Sequence, residues 1–347
     1  MTGVISHSYI NSNLKSLQIL RAIAATTVVY FHIGAIPKFG SFGVDIFFVI
    51  SGFVMAMVIS NGQDSYTFAV SRLTRIIPLY WILTTFVLLL ASIKPELFNS
   101  TTANLTNYLK SIFFIPYFKE NGALNPMLPV GWTLNYEMFF YLCIWISIIA
   151  SRKYYFLVTT LLLASVYLWF GKHTSNLAAS QFFHSELLFE FIFGMLAFEA
   201  YRINFARKKY KSLLIFLAAG SYTAMAIIEA SEFESNRVLI YGIPSVTLVL
   251  SLTHLEYLFS NNNLITKILT TIGDGSYATY LSHFYVVEGI RKIFFRQLNL
   301  IDPYTPTGVS IILFLSLLVG HLIFNLLDKP LHKYFKGKLL ALRKIPE

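Results

Sequence analysis

Arginine and histidine are costly inside a run of apolar residues. The first such run in this sequence, SLQILRAIAATTVVYFHIGAI, holds one of each, Arg21 and His32. If the run is helical, His32 follows Arg21 by three turns with an offset of about 20°, so the two share one face about 16 Å apart along the axis. A histidine so placed can take a proton from a hydroxyl or carry an acyl group itself. The bland alternative has Arg21 snorkelling to lipid headgroups and His32 satisfied within the bundle. The common face weighs against that alternative for the pair.

Other polar residues interrupt later apolar runs. In FGVDIFFVISGF (42–53), Asp45 enters near the level of His32, where a carboxylate would orient an imidazole and stabilise its charged form; a helix cap or a pair with Lys38 are the alternatives. Ser51 and Gly52 read as small residues for close helix packing, with a nucleophilic Ser51 the lesser reading. In RLTRIIPLYW (72–81), Arg72 and Arg75 share one face at a helix start and suit phosphate oxygens, although topology alone also places arginines at an inner surface. In GWTLNYEMFFY (131–141), Glu137 is an expensive intramembrane carboxylate that suits a histidine or a sugar hydroxyl. Trp132 and Tyr136 are interface anchors or a surface on which a sugar stacks. Ser276, Tyr280 and His283 follow helical spacing and form a polar stripe that lines a passage or joins helices. His332 reads as a surface residue, and Glu186 and Glu190 as structural. No metal-ligand spacing, phosphate-binding loop or dinucleotide fingerprint is present, so no metal is expected.

The elements that must position these groups follow from composition. The 347 residues are 56% hydrophobic and 13% charged, with a mean hydropathy of +0.62, which calls for lipid as solvent. The expected fold is all-α: a single integral membrane domain over 1–347, a bundle of about ten transmembrane helices. The spans fall at 17–36, 43–60, 76–94, 132–150, 154–171, 183–201, 212–229, 238–259, 276–295 and 308–328. Residues 105–118 are too short and proline-interrupted to cross, and lie on or dip into the outer face. The net charge of +10 is carried by short loops that alternate with the spans, which indicates orientation and contact with membrane lipids, and no nucleic acid. Most Lys and Arg fall inside when both tails, 1–16 and 329–347, are cytoplasmic. The lone Cys143 excludes an intramolecular disulfide and reads as packing.

Taken together these stretches resemble the membrane-bound acyltransferase family 3, which O-acetylates bacterial surface polysaccharides and related carbohydrates. Arg21-x10-His32, residues 42–53, Arg72-x-x-Arg75 with IIPLYW, and residues 131–141 carry the resemblance; SYATYLSH (276–283) and Asp328-Lys329-Pro330 are weaker matches. Two departures are Thr133, where Trp-Ser is usual, and Asp328, where Glu is usual. The chain ends about 20 residues past its last expected span, too few for the extracytoplasmic domain that some relatives append. The resemblance implies a ten-span core in the inner (cytoplasmic) membrane. It implies acetyl-CoA as donor, entering from the cytoplasm and held by Arg72 and Arg75, with Arg21 below His32 on the same helix to position donor or histidine. It implies His32 as the catalytic residue, with Asp45 or Glu137 orienting it or the acceptor. The acceptor would be a carbohydrate hydroxyl of a surface polysaccharide, O-antigen or exopolysaccharide, or of its lipid-linked precursor, met by Trp132, Tyr136, Tyr280 and His283. Direct transfer and an acyl-histidine both remain open. The competing class is a transporter or flippase of lipid-linked sugars, against which stands the lack of paired broken helices or matching halves.

Overall fold

The computed structural model describes residues 14–36, 39–98, 101–172, 177–203, 209–231, 233, 235–261, 263–292 and 302–343. Lys38, Arg207, Lys208 and the outer parts of both tails lie outside the described residues. Helices follow one another as α1 (Lys15–Ile33), α2 (Gly43–Ser60), α3 (Ser65–Ile93), α4 (Leu105–Ile112), α5 (Trp132–Ser151), α6 (Tyr155–Lys172), α7 (Ala178–Phe183), α8 (Leu187–Arg202), α9 (Lys211–Ala230), α10 (Ile243–His254), α11 (Leu264–Asp274), α12 (Ser276–Ile290), α13 (Pro306–Ile323) and α14 (Lys329–Leu342). No strand occurs among the described residues. Helices overlap the ten expected spans, but among the described residues six helical stretches, not ten, are long and apolar enough to cross a membrane. The protein is an all-α membrane protein.

The bundle is organised around α2, of which 78% is buried. It lies flat against α8 because Gly52 and Gly194 face each other: a Cβ on Gly52 would overlap the carbonyl oxygen of Phe191, and one on Gly194 that of Val49. Phe48 and Phe140 pack on Phe191 beside this contact, with ring centroids 4.6 and 4.4 Å away. Cys143 is buried in the same core, as its apolar setting suggested.

Local signals set the helix ends that matter for the site. Gly34, at φ 67°, closes α1 with its N–H on the carbonyls of Tyr30 and Phe31, three residues before the expected end. His32 therefore sits in the last turn of α1. At the other end of the bundle Asp64 caps α3, accepting from the backbone N–H groups of Tyr66 and Thr67 at 3.1 Å each. Helix α3 thus begins well before the expected residue 76, and Arg72 and Arg75 lie two to three turns inside it rather than at its start. The segment 65–75 is polar enough to mask this extension from hydropathy.

Residues 105–118 do not cross. Asn104 caps α4, and the chain then turns at Phe114, a non-glycine at φ 58°, whose ring stacks on Tyr80 at 5.0 Å. Tyr80 Oη donates to Ser111 O and Trp81 Nε1 to Ile112 O, which pins the turn against the middle of α3. The expected C-terminal tail is largely helix. A π-helical turn (Phe324–Asp328) links α13 to α14, and α14 returns along α3 through Tyr66 Oη on Leu339 O and the Arg343–Asp64 pair at 2.7 Å.

Two substitutions test this frame. Gly52→Ala must part α2 from α8 and is expected to cost about 1–3 kcal/mol, read as a lower melting temperature in detergent. Asp64→Ala is expected to cost about 1 kcal/mol. Hydrogen bonds from Thr67, with the guanidinium of Arg343, hold the Asp64 carboxyl at about 2, against an ordinary 3.8. The cap's contribution is therefore complete above the ordinary value and is lost as pH falls through about 2, so the wild-type and variant melting curves converge in acid.

Candidate active site

Inside the hydrocarbon region an arginine needs protein, water or an anion around it. The structure meets that need by directing Arg21 of α1, Arg72 and Arg75 of α3, and Lys336 of α14 into one cavity of about 430 Å³. Arg75 is held at its wall by Asp328, 2.6 Å from Nη1, and by the ring of Tyr277, 5.2 Å from the guanidinium carbon. Arg72 is less constrained, and its buried Nε has no hydrogen-bond partner. Arg21 lines the cavity instead of reaching lipid headgroups. The arrangement is a cationic pocket, a kind of site that suits a phosphorylated ligand.

Deeper in the cavity Glu137 accepts hydrogen bonds from Ser51 Oγ (3.1 Å) and from Tyr141 Oη. It faces the arginines rather than a histidine. The far wall is formed by Ser276, Tyr277 and Tyr280, so this part of the polar stripe lines a passage. Thr133 donates to Tyr280 Oη at 2.9 Å, and Tyr280 Oη in turn donates to Val130 O at 3.1 Å. Thr133 thus keeps the hydroxyl that a serine would supply there.

Beyond Tyr280 lies His32, half-buried, with Nδ1 3.0 Å from Val28 O and 3.1 Å from Nε2 of the fully buried His283. Phe31 and Phe284 contact its ring edge-on. Arg291 fixes the end of α1 by donating to His32 O and Ile33 O, and is itself paired with Glu288 at 2.8 Å. The bundle therefore presents a cationic cavity on one side of Tyr280 and an imidazole on the other.

Comparison with known proteins decides the family. A family model described as "Acyltransferase domain" matches residues 14–326, nearly the whole chain. The chain belongs to this acyltransferase family. It is also similar to the exopolysaccharide production protein ExoZ of Rhizobium meliloti (strain 1021), with 27% identity over 298 residues that cover 84% of this chain and 89% of that protein. No solved structure matches the chain.

Several residues of the acyltransferase lie elsewhere than spacing suggested. Asp45 does not reach His32: both its oxygens are taken by Arg237, at 3.0 Å from Nε and 2.7 Å from Nη2, and Glu190 lies beside the pair. Tyr136 is a core residue, stacked on Phe182 at 4.0 Å with its hydroxyl on Phe182 O, and Trp132 packs edge-on against it at 5.9 Å. Neither lines the cavity. His283 is buried behind His32 and presents no surface to a sugar. Conversely, His332, read as a surface residue, lines the cavity with its Nδ1 3.3 Å from Thr74 Oγ1. Asp328, Lys336 and Arg237 were not singled out as site residues. The only signal for Asp328 was its Asp-Lys-Pro motif, and nothing in the sequence marks Arg237 as the partner of Asp45 across the fold.

Asp45→Asn separates a positioning or catalytic role from a structural one. Losing one partner of a buried pair is expected to cost about 1–3 kcal/mol, seen as a lower melting temperature. Turnover per folded molecule should be unchanged. Lost turnover at an unchanged melting temperature would return Asp45 to the chemistry.

Proposed function

We propose that this acyltransferase moves an acetyl group from acetyl-CoA, bound from the cytoplasm, to a hydroxyl of an exopolysaccharide or of its lipid-linked precursor. The observation that carries the reading is the alignment, along one bundle, of the Arg21–Arg72–Arg75–Lys336 cavity with His32 beyond Tyr280. Arg72, Arg75 and Lys336 hold the CoA phosphates, with Arg75 preset by Asp328. Arg21 and the Ser51–Glu137–Tyr141 group line the path of the pantetheine arm.

Acetyl-CoA supplies the activated acyl carbon. His32 takes the proton from the acceptor hydroxyl as the hydroxyl oxygen bonds to that carbon; the C–S bond breaks and the proton passes to the departing thiolate. The carbohydrate acceptor follows the similarity to the exopolysaccharide production protein. The orientation, with the cavity mouth and both termini in the cytoplasm, is supported by charge. Lys15, Arg152 and Arg343 join the loops at the same end of the bundle as the cavity cations, through Phe259 O, Gly62 O and Asp64. In a bacterium this is the inner membrane.

The test is acetyl-CoA consumption and ester formation by the purified protein supplied with extracted host exopolysaccharide. His32→Ala is expected to lower turnover by roughly 10²–10⁴-fold with donor affinity retained. Normal acetylation by folded His32→Ala protein would remove the catalytic assignment. Arg72→Ala is expected to weaken CoA binding by roughly 10–100-fold, the worth of one charged hydrogen-bond donor. Glycan movement without acetyl-CoA consumption would place the protein among the flippases.

A further inference from the structure

His283 is fully buried on α12, three residues after Tyr280, and its two ring nitrogens meet different partners. Nδ1 lies 2.6 Å from Tyr280 O and 3.2 Å from Thr279 O. A carbonyl oxygen only accepts, so Nδ1 carries the hydrogen. A neutral imidazole protonated at Nδ1 has its lone pair on Nε2. The group facing that lone pair is His32 Nδ1, at 3.1 Å, which also faces Val28 O at 3.0 Å. Both neighbours of His32 Nδ1 are acceptors, so it too carries its hydrogen. The remaining nitrogen of His32, Nε2, is left with a lone pair.

From this order of donors we infer that His283 is a positioning residue: it locks His32 in the Nδ1–H tautomer with Nε2 free to receive the acceptor's proton. The inference rests on the reading of His32 as the base. It assigns His283 a role that carboxylates fill in other hydrolytic and acyl-transfer sites. An imidazole is the better choice here because a buried carboxylate at this point would need a cation of its own. His283 keeps the resting pair uncharged. When His32 takes up the proton, its Nδ1–H remains bonded to His283 Nε2, and the imidazolium keeps its orientation until the proton leaves. The backbone carbonyl of Tyr280 completes the chain, so the residue that closes the top of the donor cavity also fixes the orientation of the histidine pair.

The experiment compares His283→Leu, which removes the acceptor, with His283→Gln, whose amide oxygen can restore it. Both are assayed as purified full-length protein in nanodiscs with acetyl-CoA and extracted host exopolysaccharide. His283→Leu is expected to lose roughly 10–100-fold in kcat with an unchanged KM for acetyl-CoA, and His283→Gln to recover most of the loss. His283→Leu within twofold of wild type, or His283→Gln as impaired as His283→Leu while both bind donor, overturns the inference. Should the variants fail to fold, nitrogen-15 NMR of histidine-labelled wild type, with His32→Ala used for assignment, reads the tautomer directly. A bonded hydrogen on His32 Nδ1 and none on Nε2 supports the lock, and the reverse pattern overturns it. An active His32→Ala protein sinks the base assignment itself, whereas inactive His32→Ala beside fully active His283→Leu sinks only the positioning role.

Discussion

Guanidinium groups do not tolerate hydrocarbon, and the architecture of this protein follows from enclosing three of them. Arg21, Arg72 and Arg75 come from two helices and line one space, which α2, α5, α12 and α14 close on the remaining sides. A cavity in a helical bundle would ordinarily be filled by side chains, because interiors pack densely. Here the mutual repulsion of the cations and their need for hydration keep the space open, while Glu137 and Asp328 offset part of the charge. The excess of positive charge that remains is the property that the proposed CoA site rests on.

The opposite half of the bundle handles charge differently. Asp45, Glu190, Arg237 and Glu229 form a polar group between α2, α8, α9 and the segment that leads into α10, with Glu229 accepting from the backbone N–H groups of Gly40 and Ser41. These residues tie the loop after α1 to the rest of the fold. The histidine pair stands apart from them, oriented by neutral groups and by Arg291 on the carbonyls that end α1. Charge thus gathers around a cavity in one group and holds the backbone in the other, whereas His32 has only uncharged partners on its Nδ1.

Much of this was legible from residue types and periods. Intramembrane Arg21, His32, Glu137, Arg72 and Arg75 are anomalies that stand out because lipid penalises them, and helical period places the first two on one face. The helix-rich fold and the failure of residues 105–118 to cross follow from run length and Pro116. Pairing was less legible. Asp45 and His32 look like partners by depth, yet depth says nothing of azimuth, and α2 turns Asp45 toward Arg237. Tyr136 looks like a sugar platform because aromatic residues near an interface often are, but its rotamer sends the ring into Phe182.

The sequence by itself determined that the chain lives in a membrane, which residues are too polar to be there without reason, and the family to which they point. These are properties of composition and local period, which a linear reading captures. Only the tertiary structure decided that Asp328 holds Arg75, that α14 returns Lys336 and His332 to the cavity, and that His283 faces His32. Each of these contacts joins residues far apart in the chain. Its existence depends on how helices rotate against one another, and that rotation is set by close approaches such as Gly52 on Gly194.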